Sequence, residues 1–95
     1  MNRFGLKENV LAFIVEAAKV HDIETVILFG SRAKGTFSPK SDIDLAVSGE
    51  RYHDFIEALD ENCPTLLSFD IVHLSNPLSD EFAKRISEEG VRIYG

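Results

Sequence analysis

Residues 42–47 read Asp-Ile-Asp-Leu-Ala-Val, and their strict alternation constrains the fold more than any other stretch of the chain. Successive side chains of a strand point to opposite faces, so Ile43, Leu45 and Val47 share one face while Asp42, Asp44 and Ala46 share the other. The apolar face demands a covering layer, and the acidic face resists one. Asp42 and Asp44 stand about 6.6 Å apart on the same side. Like charges that close repel unless something positive lies between them.

The remaining elements are read from the same kind of pattern. Thr25–Phe29 is a short, β-branched and aromatic run ended by Gly30, which predicts a strand buried on both faces. Leu66–Leu74 predicts a third strand, with Phe69, Ile71 and His73 on one face and Ser68, Asp70, Val72 and Leu74 on the other. Leu6, Val10, Phe13, Ile14 and Ala17 fall on one face of a helix over 6–21. Tyr52, Phe55, Ile56 and Leu59 mark a second helix, stopped before Pro64. Phe82, Ala83 and Ile86 mark a last one, begun at Asn76-Pro77 and ended by Gly90, with Val91–Tyr94 as a short apolar tail. Between the first two strands, Gly30–Ser41 is interrupted by Gly35 and Pro39 and reads as a tight turn and a loop. The expected order is α-β-(turn)-β-α-β-α. This is an α/β chain of the two-layer α+β kind, a short mixed β-sheet with α-helices packed on one face and the acidic face left open.

Ninety-five residues suit one domain, 1–95, with no room for a second core. A formal charge of -6 argues against broad attraction to nucleic acid or an anionic membrane, so a phosphate-bearing ligand must be held locally. The longest apolar run near the start, Val10–Val15, is far short of a membrane span. Cys63 is the only cysteine, which excludes an intramolecular disulfide and fits a reduced, cytoplasmic compartment.

The acids define the chemistry. Magnesium favours carboxylate oxygens and often keeps waters and substrate phosphates as further ligands. Asp70, on a strand able to lie beside Asp42 and Asp44, would complete a site for two ions about 4 Å apart, the arrangement of phosphoryl-type transfer. Gly30-Ser31 ends the first strand where a phosphate must approach backbone, and glycine has no Cβ to block it. No acid lies between Glu24 and Asp42, whereas Arg32, Lys34 and Lys40 do, making a local positive patch in an acidic chain.

Leu28-Phe29-Gly30-Ser31-Arg32-Ala33-Lys34-Gly35 followed by Ser41-Asp42-Ile43-Asp44-Leu45-Ala46-Val47 resembles the signature of the DNA polymerase beta-like nucleotidyltransferase superfamily. Residues 32–41 supply the ten-residue spacing between Gly-Ser and Asp-x-Asp, and Phe69-Asp70-Ile71-Val72 resembles the strand of the third carboxylate. Small size and the ending Glu89–Tyr94 look most like the minimal nucleotidyltransferases, the MntA-like antitoxins partnered with a HEPN-domain ribonuclease toxin. That resemblance implies transfer of AMP from ATP to a tyrosine hydroxyl of the toxin. It further implies that Asp42 and Asp44 bind both magnesium ions, that Asp70 binds the ion activating the acceptor, and that Gly30 and Ser31 hold the triphosphate. Arg32 and Lys34 would offset charge on the leaving pyrophosphate, or else face solvent or a partner.

Other classes of function stand beside this one: a nucleotide-binding antitoxin that neutralises by stoichiometric binding, or transfer to RNA or a small molecule. The acidic composition weighs against RNA. A chain this short has little with which to grip a long acceptor, which favours a protein that positions itself. Phe37 would stack on a base or anchor its loop. His73, His21, His53 and Cys63 read as structural or surface positions.

Overall fold

The computed structural model describes residues 3–95. Helix α1 (Glu8–Val20) leads into strand β1 (Ile23–Phe29), then a single short helix α2 (Gly30–Lys34) and a loop to strand β2 (Ile43–Gly49). Helix α3 (Tyr52–Asn62), strand β3 (Phe69–His73), helix α4 (Asp80–Glu89) and strand β4 (Val91–Tyr94) complete the chain. The four strands form one mixed sheet in the order β3-β2-β1-β4, with β1 antiparallel to both its neighbours and β2 parallel to β3. The parallel pair follows from α3, because two adjacent parallel strands need a crossover long enough to return the chain to the same end.

Alternation along β2 divides the molecule as its sequence requires. Ile43, Leu45 and Val47 are fully buried against α1 and α3, together with Val26 and Leu28 of β1 and Val10, Ile14, Phe55 and Leu59 of the two helices. Phe69 and Ile71 of β3 pack at the margin of this core. His73 lies on the same side, its ring stacked on Tyr52 at 4.0 Å between centroids.

The two-layer α+β class is the one expected, but the helices do not all lie on one face. Beyond its acids, the opposite face carries Phe29, Ala46 and Val72, a second apolar patch that water would otherwise wet. Helix α4 covers it with Ile86 and Phe82, and the Phe82 ring meets Phe29 edge to face at 5.7 Å. The acidic face is therefore partly roofed.

Three boundaries also differ from the sequence reading. The tail at Val91–Tyr94 is a strand, paired to β1 through Val26, Ile27 and Leu28. α4 begins after Ser79, whose hydroxyl accepts the Phe82 amide at 3.1 Å, so the working cap is serine and not Asn76. β3 starts at Phe69, while Leu66 stands fully in solvent in the preceding loop. Among the described residues no helix is long and apolar enough to cross a membrane.

Candidate active site

The parallel register of β2 and β3 sets Asp44 directly beside Asp70. Paired strands lie about 4.8 Å apart, and both residues occupy the same parity, so their carboxylates project from one face. Asp42 lies one residue before β2, exposed like Asp70, whereas Asp44 is half-buried. Burial first, then the Asp70 and Asp42 carboxylates, hold the Asp44 carboxyl above its ordinary range, while Arg85 and Arg32 pull it down. Asp70 and Asp42 thus both bear on Asp44, the kind of crowding that a hard cation relieves. No three His, Cys, Asp or Glu side chains among the described residues are close enough to hold an ion by themselves.

Gly30 closes the site from the side of β1. Phe29 pairs with Asp44 across the sheet, and the next residue turns the chain sharply into α2 with φ of +74°. A side chain at Gly30 would be strained in that conformation, and its Cβ would collide with the Asp44 carboxylate. Glycine here gives both the turn and the contact. Ser31 follows in the first turn of α2, where backbone amides lack partners within the helix. Gly30, Ser31, Asp42, Asp44 and Asp70 are accordingly gathered at one end of the sheet.

Arg32 is placed differently. It is the most deeply buried charged side chain, 1% exposed, and all five of its N–H donors are used. Nη1 donates to the Phe4 and Gly5 carbonyls, Nη2 to those of Pro39 and Ser41, and Nε again to Ser41. Its guanidinium lies 5.1 Å from the centre of the Phe37 ring, which also abuts Gly5. Burial lowers its pKa from the ordinary value and Asp44 opposes that change. Arg32 therefore ties the segment before α1 to the loop that delivers Ser41 and Asp42, and Phe37 is engaged as an anchor of that loop.

Lys34 turns toward α4, its Nζ 3.7 Å from Glu89 Oε1, and Arg85 Nε meets the other oxygen of the same carboxylate at 3.3 Å. Arg85 and Glu89 were not identified from sequence. Their i, i+4 spacing reads as an ordinary pair on a solvated helix face, and nothing in a strand's alternation says which face of the sheet a later helix will cross.

A strand-turn-helix glycine beside in-register aspartates on a short mixed sheet defines the nucleotidyltransferase class. The sequence matches the family described as "Polymerase beta, Nucleotidyltransferase" over residues 13–95, and the chain belongs to that family. A search of curated proteins gives no match. Among solved structures, the fold is similar to that of a mutant of the toxin-antitoxin MntA-HpeT, with a TM-score of 0.69 at 19% identity, over 90% of this chain and 73% of that one. It is also similar to a toxin-antitoxin crystallised with AMP-PNP, with a TM-score of 0.65 at 24% identity, over 90% and 73%. A protein from Shewanella oneidensis aligns with a TM-score of 0.60 at 17% identity, over 95% and 73%. At such identities the likeness is one of fold.

Proposed function

We propose that this chain transfers AMP from ATP to a hydroxyl, a tyrosine of a HEPN-type ribonuclease toxin, and serves as the antitoxin of that pair. The observation that carries the transfer reading is the in-register pairing of Asp44 with Asp70 beside the side-chain-free Gly30. Membership of the nucleotidyltransferase family supports it, and the fold shared with toxin-antitoxin structures, one of them crystallised with AMP-PNP, supports the choice of partner and nucleotide.

The donor set is all oxygen, which suits magnesium, and that ion completes its shell with waters and phosphate oxygens rather than requiring a closed protein cage. Held by Asp42, Asp44 and Asp70, magnesium would neutralise phosphate charge and lower the pKa of the acceptor hydroxyl. Gly30 and Ser31 bring backbone close to the phosphates and orient the α-phosphorus for in-line attack. The acceptor oxygen bonds to that phosphorus as the bond to the departing pyrophosphate breaks, and the hydroxyl proton is lost to solvent or to a carboxylate. Asp70 stands exposed on β3, at the edge of the sheet, where a large acceptor can reach it.

The test is incubation with α-labelled ATP, magnesium and a lysate of the source lacking this protein. Protease-sensitive label on one band is the expected result. RNase-sensitive label would move the acceptor to RNA, and ATP binding without any label would favour neutralisation by stoichiometric binding.

A further inference from the structure

Helix α1 carries two stripes. Val10, Ile14, Ala17 and Ala18 are buried and face the core. Glu8, Leu11, Ala12, Val15, Glu16 and Lys19 recur at helical spacing on another face, and they line an open groove of about 600 Å3 whose far wall includes Val91 and Ile93 of β4. Leu11, Val15, Val91 and Ile93 are only partly buried, so the middle of the groove is apolar surface still in contact with water. Glu16 and Lys19 make no ion pair among the described residues. The neighbouring strand edge is a poorer surface for a partner. β4 ends the sheet, but Val26 pairs with Tyr94 and Ile27 with Arg92, which leaves Ile93 as the extra residue of a bulge, a feature that turns an edge away from strand addition.

We propose that two copies of this chain pair through α1, with the helices antiparallel about a two-fold axis midway between Ala12 and Val15. The charges of the stripe carry the choice of occupant. It is acidic at its N-terminal end at Glu8, apolar and small in the middle, and basic at its C-terminal end at Lys19, so it complements itself when reversed. The axis sets Ala12 opposite Val15, Leu11 opposite the stem of Glu16, and Glu8 opposite Lys19, each contact occurring twice. Parallel helices would set Glu8 on Glu8 and Lys19 on Lys19, which repel. Ala12 carries only a methyl group and lets the two helices approach closely, while Val91 and Ile93 lose their contact with water. The groove lies on the α1 side of the sheet, away from the face that carries Asp44 and Asp70, so pairing leaves both acidic sites open and does not depend on their chemistry.

The experiment is sedimentation velocity on the full chain, from low micromolar to submillimolar concentration, for the wild type, Ala12→Glu, Glu8→Lys, Lys19→Glu and the double reversal Glu8→Lys with Lys19→Glu. The wild type should pass from monomer to dimer as concentration rises, and Ala12→Glu should stay monomeric. Each single reversal should raise the dissociation constant about tenfold, because the like charges meet at two symmetric places. The double reversal restores opposite signs and should return to within about threefold of the wild type. Lys84→Glu makes the same change in net charge as Lys19→Glu but on the exposed side of α4, and it should dimerise like the wild type. A wild type that is monomeric throughout would overturn the proposal and leave the groove to a different chain. A dimer that survives Ala12→Glu, or a double reversal no better than the single ones, would overturn it equally. All three substituted positions are exposed, and circular dichroism on each variant separates loss of pairing from loss of fold. None of these outcomes bears on the nucleotidyltransferase reading.

Discussion

Arg32 joins parts of the chain that lie 28 positions apart, and its five donors end on main-chain oxygens. A sequence shows the positive charge of Arg32 but not the carbonyls that receive it, and so the residue reads there as a candidate phosphate ligand. Replacing it by methionine keeps much of the volume and removes the hydrogen bonds to the carbonyls of Phe4, Gly5, Pro39 and Ser41. The expected loss is about 3 kcal/mol in urea unfolding, since each hydrogen bond from a charged donor contributes on the order of 1 kcal/mol or more. Lysine should recover little, because a single ammonium cannot span the same acceptors. Asp44 behaves in the opposite sense. Its carboxyl titrates above the ordinary range in the folded chain, so the folded state holds its proton more tightly than the unfolded state does. That contribution favours folding fully below the ordinary carboxylate pKa and is lost as pH rises through the raised value. Asp44→Asn should therefore melt higher than wild type at pH 7.5, with the gain shrinking as the pH is lowered through the carboxylate range. A variant melting lower at neutral pH would contradict the crowding of acids at this position.

At the level of elements, most of the architecture was legible because alternation and helical periodicity act locally. β1, β2, β3, α1, α3 and α4 all lie where the apolar pattern puts them, within a few residues. β4 was not legible: four residues carry too little pattern to declare a strand, and its identity comes from the free edge of β1. The side of the sheet taken by α4 was hidden for a related reason. Ala46, Val72 and Phe29 form an apolar patch only once three strands are in register, and Phe82 and Ile86 answer a surface that no one segment displays. Phe82→Ala removes the edge-to-face contact with Phe29 and part of that cover. It should cost about 2 kcal/mol, below the range for a fully buried phenylalanine because the ring is half-buried. A variant as stable as wild type in urea unfolding would contradict that cover.

For the whole molecule, the arrangement of charge matters more than its sum. A net charge of -6 offers little to nucleic acid, yet the chain places Lys34 and Arg85 together on Glu89 and gathers Asp44 and Asp70 on neighbouring strands. The aspartates were legible as a set because strand parity and the Gly-Ser spacing are written in the sequence. Their closeness depends on β2 and β3 being parallel and in register, which the α3 crossover supplies. In the proposed function, Asp44 and Asp70 serve one transfer reaction. The most direct measurement is the rate of label transfer from α-labelled ATP to the acceptor band by wild type, Asp44→Asn and Asp70→Asn, each confirmed folded by circular dichroism. Both variants should fall by a factor on the order of one hundred or more, as expected when a charge-stabilising group of a phosphoryl-transfer site is removed. Transfer at the wild-type rate by either variant would contradict the assignment of that aspartate to the reaction.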